Sequence, residues 1–97
     1  MTLAQKNIEQ KLKRLKPIIA KKYFVSSLGY FGSYATGKAT ELSDVDILVE
    51  FEKPLGWEFF DLQDYLEQEL NLKVDLVSKN SLKKELSEQI LEQVKYI

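Results

Sequence analysis

The stretch Ser43–Phe51, which reads SDVDILVEF, decides the fold class of this chain. Its last seven residues include five apolar ones, a pattern typical of a buried strand. Helical spacing resumes over Trp57–Leu70, and Val74–Val77 then reads as a second short strand. A strand, a helix and a strand in this order form a right-handed crossover. We therefore predict that the two strands lie roughly parallel in one sheet.

A helix and a further strand are predicted on the N-terminal side of this unit. The helical spacing is carried by Ile8, Leu12, Leu15 and Ile19. Pro17 interrupts the pattern and is expected to start a second short helical piece. Val25–Phe31 reads as a strand. Gly32–Gly37 is too small and polar for a long helix, so we expect a turn into a short helix with Ser33 as its cap.

The C-terminal segment predicts a last helix. Asn71 can end the preceding helix, and Asn80 or Ser81 can cap the last one. Its apolar stripe is formed by Leu82, Leu86, Ile90 and Val94. This stripe either packs onto the sheet or offers an apolar surface to a partner. The whole pattern predicts an α/β fold of the α+β type, with a small mixed sheet of about three strands packed with helices, in a single domain over residues 1–97.

The composition excludes several kinds of chemistry. The 97 residues include 14 basic and 15 acidic side chains, for a net charge of −1, and no histidine or cysteine. Ser-His-Asp catalysis, thiol nucleophiles and metals held by histidine or cysteine are therefore excluded. Oxygen ligands remain, which favour Mg²⁺, Ca²⁺ or Mn²⁺. The near-zero charge argues against general nucleic-acid binding. No apolar run approaches the ~20 residues that span a membrane, so we expect a cytoplasmic protein.

Two carboxylates stand one residue apart at the start of the predicted central strand. Asp44 and Asp46 point to the same face, because side chains alternate along a strand. Their Cα atoms should lie about 6.6 Å apart, which lets the carboxylates share one or two divalent cations. Without a cation the charges repel, so one pKa should rise. In the alternative interpretation, Asp44 caps a turn and Asp46 is an ordinary solvent-facing residue.

A third carboxylate, Asp75, lies inside the short strand Val74–Val77. Aspartate is depleted from strands, and a charge there needs a pairing partner or a metal. The crossover places this strand beside the central one, so that Asp75 can face Asp46. Three carboxylates on two neighbouring strands predict a metal site, unless Asp75 simply lies on the exposed face of a half-buried sheet.

The segment Gly32–Lys38, GSYATGK, matches the first seven positions of the phosphate-binding P-loop, G-x-x-x-x-G-K. However, Ala39 stands where a P-loop has Ser or Thr, and residues 39–44 are too few for the long helix that a P-loop opens. We therefore favour a short helix whose first backbone N–H groups bind a phosphate that approaches closely at Gly32. An ordinary strand-to-helix turn is the alternative.

Together these blocks resemble the nucleotidyltransferase superfamily of DNA polymerase β, and the small size is similar to its minimal nucleotidyltransferase (MNT) branch. The shared pattern is a Gly-Ser turn, a D-x-D pair and a later strand aspartate, in that order. The resemblance implies a polymerase β palm-like core. It also implies an enzyme that moves a nucleoside monophosphate, AMP from ATP as the expected case, to an acceptor hydroxyl and releases pyrophosphate.

The resemblance assigns roles to individual residues. The nucleotide-binding residues that it implies, together with nearby candidates, are Gly32, Ser33, Thr36 and Lys38. The catalytic residues, which also hold two Mg²⁺ ions, are Asp44, Asp46 and Asp75. Asp75 further helps to deprotonate the attacking hydroxyl. Many members of the family carry a basic residue where this chain has Thr36, and Lys38, two residues later, is the candidate replacement for that charge.

The MNT branch often pairs with a HEPN-domain protein as a toxin–antitoxin system. The resemblance therefore implies a HEPN ribonuclease toxin as the partner, with AMP transferred to one of its tyrosines. One alternative is a non-catalytic antitoxin that blocks the HEPN toxin by contact, through the last helix for example. Another is nucleotidyl transfer to a small molecule such as an aminoglycoside, although such enzymes usually carry an added substrate domain.

Overall fold

The structure, a computed structural model, describes residues 1–97. They form one mixed sheet, with helices before, between and after its strands in the sequence. Its elements, in chain order, are α1 (Leu3–Tyr23), β1 (Val25–Phe31), α2 (Gly32–Ala35), β2 (Val45–Phe51), α3 (Glu58–Leu70), β3 (Val74–Ser78), a 3-10 turn (Lys79–Ser81), α4 (Lys84–Gln93) and β4 (Lys95–Tyr96). None of these helices combines the length and the apolar character needed to cross a bilayer.

The strands lie in the order β3-β2-β1-β4, with β2 parallel to β3 and antiparallel neighbours elsewhere. The parallel pair confirms the crossover predicted from Ser43–Phe51. The prediction of about three strands missed β4. This strand has only two residues, Lys95 and Tyr96, which is too short to produce an alternating pattern in the sequence.

The apolar core lies between one face of the sheet and the two long helices, α1 and α3. The β2 residues on this face, Val45, Ile47 and Val49, are completely buried. Facing them are the buried helix residues Ile8, Leu12, Leu15, Ile19, Leu62, Leu66 and Leu70. Because side chains alternate along a strand, the same strands turn Asp46 and Asp75 toward the opposite face.

Helix α1 runs without a break through Pro17, so the predicted interruption there is wrong. A proline inside a helix costs about 3 kcal/mol, because it removes one backbone hydrogen bond and its ring crowds the preceding turn. Pro17 lies on the exposed side of α1. On the other side, Leu15 and Ile19 are completely buried. Burial of each such side chain contributes about 1.5–3 kcal/mol, and this outweighs the cost.

The C-terminal helix begins later than the sequence predicts. Asn80 and Ser81 lie in the 3-10 turn, and the N-cap of α4 is Lys83, whose side chain makes no capping hydrogen bond. Of the two interpretations of the apolar stripe, complete packing onto the sheet does not hold, because α4 contains no buried residue and Leu86 is 51% exposed. Helix α4 contacts α2, and its C-cap residue Val94 lies against Gly29 of β1.

Candidate active site

The parallel register places Asp46 of β2 directly opposite Asp75 of β3. Their carboxylates lie within hydrogen-bonding reach of each other, and Asp44 precedes β2 by one residue. Partial burial, followed by the charges of Asp75 and Asp44, raises the pKa of Asp46 from 3.8 to about 6. The expected rise of one carboxylate pKa is therefore confirmed, and Asp46 is the group that shows it.

The three predicted carboxylates do not close into a complete cage. No three acidic side chains of the chain converge in a geometry that encloses a metal ion. The contact joins Asp46 to Asp75, while Asp44 is exposed and acts on Asp46 through its charge. Two carboxylates pressed together, with only oxygen ligands available, fit a hard divalent cation such as Mg²⁺, because its charge would relieve their repulsion.

Gly32 joins the Gly-Ser turn to this carboxylate pair. Its φ is +68°, a left-handed conformation that strongly favours glycine. A Cβ built on Gly32 would also collide with the Oδ2 atom of Asp46. Gly37 has a similar φ of +77°, but a Cβ there would meet only the side chain of Thr2, at 3.6 Å. Of these two glycines, Gly32 alone lets a backbone turn approach a carboxylate of the site.

Helix α2 begins at Gly32, so Ser33 lies inside its first turn and does not cap it. The N-cap is Phe31, which makes no capping bond. The predicted capping role of Ser33 is therefore wrong, because the left-handed Gly32 starts the turn one residue earlier than expected. Ser33 is partly buried and follows Gly32, the residue that lies against Asp46. Its hydroxyl makes no hydrogen bond within the chain.

The other two predicted nucleotide-binding residues follow α2. The Thr36 hydroxyl donates to the carbonyl oxygens of Gly32 and Ser33, at 3.2 and 3.4 Å, and so closes the short helix. The backbone N–H of Lys38 donates to the Ser33 carbonyl at 2.9 Å. Both side chains are exposed. The turn itself thus uses the Thr36 hydroxyl, whereas the Lys38 side chain projects from the end of the same turn.

The sequence reasoning missed Gln5, the only buried polar residue of the chain. Its Nε2 donates to the carbonyl of Ala35, the last residue of α2, at 3.0 Å. Its Oε1 accepts from the backbone N–H of Thr2, and the Thr2 hydroxyl accepts from the N–H of Gln5. The signal was present in the sequence, because Thr2-x-x-Gln5 matches the capping-box pattern that begins many helices.

The carboxylate pair lies outside the cavities of the molecule, with Asp75 exposed and Asp46 half-buried. The largest cavity, about 610 Å³, lies beside the loop between β2 and α3 and the C-terminal end of β3, and none of the predicted site residues lines it. A site on an open surface suits a large acceptor that brings its own surface. It offers little enclosure to a small acceptor, which usually binds in a concave pocket.

Comparison with known proteins points to one family. The sequence profile of the nucleotidyltransferase domain matches residues 6–97. The protein adenylyltransferase MntA of Thermococcus cleftensis is 44% identical over 96 residues, which cover 98% of this chain and 97% of that protein. A Methanocaldococcus jannaschii protein provisionally named as a protein adenylyltransferase is 50% identical over 76 residues, or 77% of this chain and 88% of that protein.

Solved structures show the same likeness. A provisionally identified minimal nucleotidyltransferase has a TM-score of 0.82 at 30% identity, over 94% of this chain and 93% of that one. A toxin–antitoxin complex with AMP-PNP has a TM-score of 0.70 at 28% identity, over 95% of this chain and 70% of that one. The complex of the tri-AMPylated Shewanella oneidensis HEPN toxin with MNT antitoxin has a TM-score of 0.62 at 26% identity, over 97% of this chain and 68% of that one.

Proposed function

This chain belongs to the nucleotidyltransferase domain family, and we propose that it transfers AMP from ATP to a hydroxyl group of a HEPN-domain partner protein. The observation that carries the proposal is the pairing of Asp46 with Asp75 against the Gly32 turn. Likeness to an MNT antitoxin in complex with an AMPylated HEPN toxin supports the choice of acceptor. The proposal takes residues 1–97 as one catalytic domain that acts in the cytoplasm, where ATP is available.

The triphosphate of ATP is proposed to bind at the Gly32–Ser33 turn. The Ser33 hydroxyl is free to donate to a phosphate oxygen, and the first backbone N–H groups of α2 are proposed to face the phosphate, while the missing side chain of Gly32 makes room for the Asp46 carboxylate. Lys38 is proposed to supply a positive charge from the end of the turn, while Thr36 keeps the turn closed. Likeness to a toxin–antitoxin complex with AMP-PNP supports ATP as the nucleotide.

Asp44, Asp46 and Asp75 are proposed to hold Mg²⁺, as two ions in the full site. When bound, Mg²⁺ neutralises the phosphate charge and lowers the pKa of the attacking hydroxyl. The acceptor oxygen forms a bond to the α-phosphorus, the bond to the β-phosphate oxygen breaks, and pyrophosphate leaves. Asp75 is exposed and, in a chain without histidine, is the natural base to accept the hydroxyl proton.

The proposal is tested by incubating the chain with α-labelled ATP, Mg²⁺ and a HEPN-domain protein from the same organism. We expect label on the partner, released as AMP by phosphodiesterase. The label should disappear when EDTA replaces Mg²⁺ and in the Asp75→Asn variant. The Asp61→Asn variant, which changes an exposed carboxylate of α3 outside the site, is the matched control and should transfer label normally.

A second candidate function, neutralisation of the partner by contact alone, is favoured by one observation. Helix α4 carries apolar side chains that the chain itself does not bury, with Leu86 51% and Leu91 39% exposed. Contact neutralisation predicts that the HEPN protein is bound and inhibited without any transferred label, and equally well by Asp75→Asn. The same incubation therefore separates the two functions.

A further inference from the structure

Strand β3 forms an outer edge of the sheet, and only part of this edge is covered. In a parallel pair, alternate residues of one strand bond to its neighbour. The Val45 N–H donates to the Lys73 carbonyl, and the register then continues with Val45 opposite Val74. Asp75 and Val77 therefore supply the next inward bonds. The backbone N–H and C=O groups of Val74, Leu76 and Ser78 point away from the sheet.

Helix α3 covers these outward groups at Val74 only. The Val74 N–H donates to Oε2 of Glu67 at 2.9 Å, and Nε2 of Gln63 donates to the Val74 carbonyl at 2.9 Å. No turn or side-chain bond reaches the backbone of Leu76 or the N–H of Ser78, whereas the Ser78 carbonyl lies at the N-cap of the following 3-10 turn and faces the N–H groups of that turn. The edge is thus closed at its beginning and open at its end, and an open edge is a template for another strand.

The largest cavity of the molecule lies beside the open part of this edge. Its volume is about 610 Å³, and Leu55, Phe59, Phe60, Leu76 and Ser78 are among its lining residues. Phe60 is 55% exposed, and the neighbouring Trp57, whose ring centroid lies 6.0 Å from that of Phe60, is 83% exposed. Exposed aromatic side chains around an apolar groove are typical of protein-binding surfaces.

The charges along the edge differ between its two ends. Asp75, which is exposed, lies at the beginning of β3 in contact with Asp46. Lys53 lines the cavity at the other end, but its ammonium is held 3.7 Å from the centroid of the Phe24 ring, which does not line the cavity. The charge on this edge is therefore that of Asp75, and a complementary segment presents an uncharged hydroxyl there and no carboxylate.

We propose that the edge of β3 from Leu76 to Ser78 binds an extended segment of the acceptor protein by strand addition, with an apolar side chain in the adjoining cavity. This inference rests on the proposed function, because it assumes a protein acceptor. The occupant is a polypeptide, since only an extended chain offers N–H and C=O groups at strand spacing. At about 3.3 Å per residue, such a segment runs directly past Asp75.

The Ser78→Pro variant tests the edge. Proline removes the outward N–H and places its ring there, yet it leaves the inward bonds of β3 intact and is tolerated on edge strands. We expect kcat/KM for AMP transfer to the HEPN protein to fall about tenfold or more, as loss of an interface hydrogen bond with a steric clash predicts. AMP-PNP affinity should stay unchanged. Ser78→Ala retains the N–H and is the matched control, with transfer near the wild-type rate.

A second variant, Phe60→Ala, changes an exposed side chain and should fold normally. It should also weaken the HEPN protein's binding, about tenfold for a central aromatic contact. If Ser78→Pro and Phe60→Ala both transfer AMP at the wild-type rate, the edge is not the docking site, although the proposed function stands. If the wild-type chain binds AMP-PNP but transfers no AMP, the proposed function fails. In that case the dissociation constant of the complex with the HEPN protein tests the edge of β3. Weaker binding to both variants supports this edge as the docking site, and unchanged binding overturns it.

Discussion

The two faces of β2 are built by neighbouring residues of one strand, yet different forces shape them. Val45, Ile47 and Val49 are completely buried against α1 and α3. Asp46, between them in sequence, turns to the other face and meets Asp75, where partial burial and like charges raise its pKa to about 6. The core face is stabilised by packing, whereas the carboxylate face holds groups that repel each other.

The carboxylate pair is therefore held in place by the packing on the other face of the same sheet. Two carboxylates that repel remain together because their backbones belong to strands that are fixed by the apolar face of the same sheet. A substitution on the core face should therefore lower stability and leave the chemistry of the folded chain intact. A substitution of Asp46 or Asp75 on the other face should stop the chemistry and leave stability unchanged or higher.

The largest effect is expected for Asp46→Asn. Loss of this charge should slow AMP transfer by about 10²–10³-fold, the usual cost of removing one electrostatic group from an active site. The midpoint of thermal unfolding in EDTA should stay the same or rise, because the repulsion with Asp75 is relieved. Transfer rate and thermal unfolding measured on the same preparation check both parts. If Asp46→Asn transfers AMP at the wild-type rate, Asp46 is not part of the active site.

Ile47→Ala changes the next residue along β2, on the core face. Truncation of this completely buried side chain should lower the free energy of unfolding by about 2–5 kcal/mol. The rate of AMP transfer per folded molecule should stay close to that of the wild type at a temperature where the variant is folded. Urea unfolding gives the first quantity and an active-site titration the second. Stability equal to that of the wild type would contradict the separation of the two faces.

Gly32→Ala and Gly37→Ala sharpen the comparison by separating backbone strain from the site. Both residues have positive φ, so each substitution should cost about 1–2 kcal/mol of stability. Only the Cβ at position 32 collides with Asp46. Gly32→Ala should therefore also weaken Mg²⁺ binding about tenfold, equivalent to ~1.4 kcal/mol, while Gly37→Ala should not. Calorimetric titration with Mg²⁺ measures this difference, and equal affinities in the two variants would refute the role of Gly32.

The smallest effect is a pH dependence. Because the folded pKa of Asp46, about 6, exceeds its ordinary value of 3.8, the folded chain keeps a proton that the unfolded chain releases. This contribution to stability is fully present below about pH 4 and is lost as the pH rises through about 6. Mg²⁺ needs the ionised carboxylate, so its affinity should fall below pH 6.

Thermal unfolding at pH 5 and 7.5, with EDTA and with Mg²⁺, measures this dependence. The stabilisation by Mg²⁺ should be larger at pH 7.5. Asp46→Asn is the control, since the difference between the two chains isolates the contribution of Asp46. If the difference in thermal unfolding between the wild type and Asp46→Asn does not change with pH, the group that takes up the proton is not Asp46.

Local periodicity was sufficient to predict most of the sheet and part of the site. The predicted bounds Val25–Phe31 and Val45–Phe51 match β1 and β2, and Asn71 ends α3 as expected. The meeting of Asp46 with Asp75 also followed from the sequence. A strand–helix–strand unit leaves one parallel arrangement, and side-chain alternation then decides which residues share a face.

Contacts between distant parts of the chain decided the rest. Continuity of α1 through Pro17 depends on the core that its other side buries, and β4 exists only because β1 offers it an edge. Gln5 meets Ala35, and Gly32 meets Asp46, across sequence separations that no local pattern records. Sequence periodicity reports which side of an element is apolar. Which groups touch across the fold, and which edge of a sheet stays open, depends on how the elements pack, and only the tertiary structure contains that information.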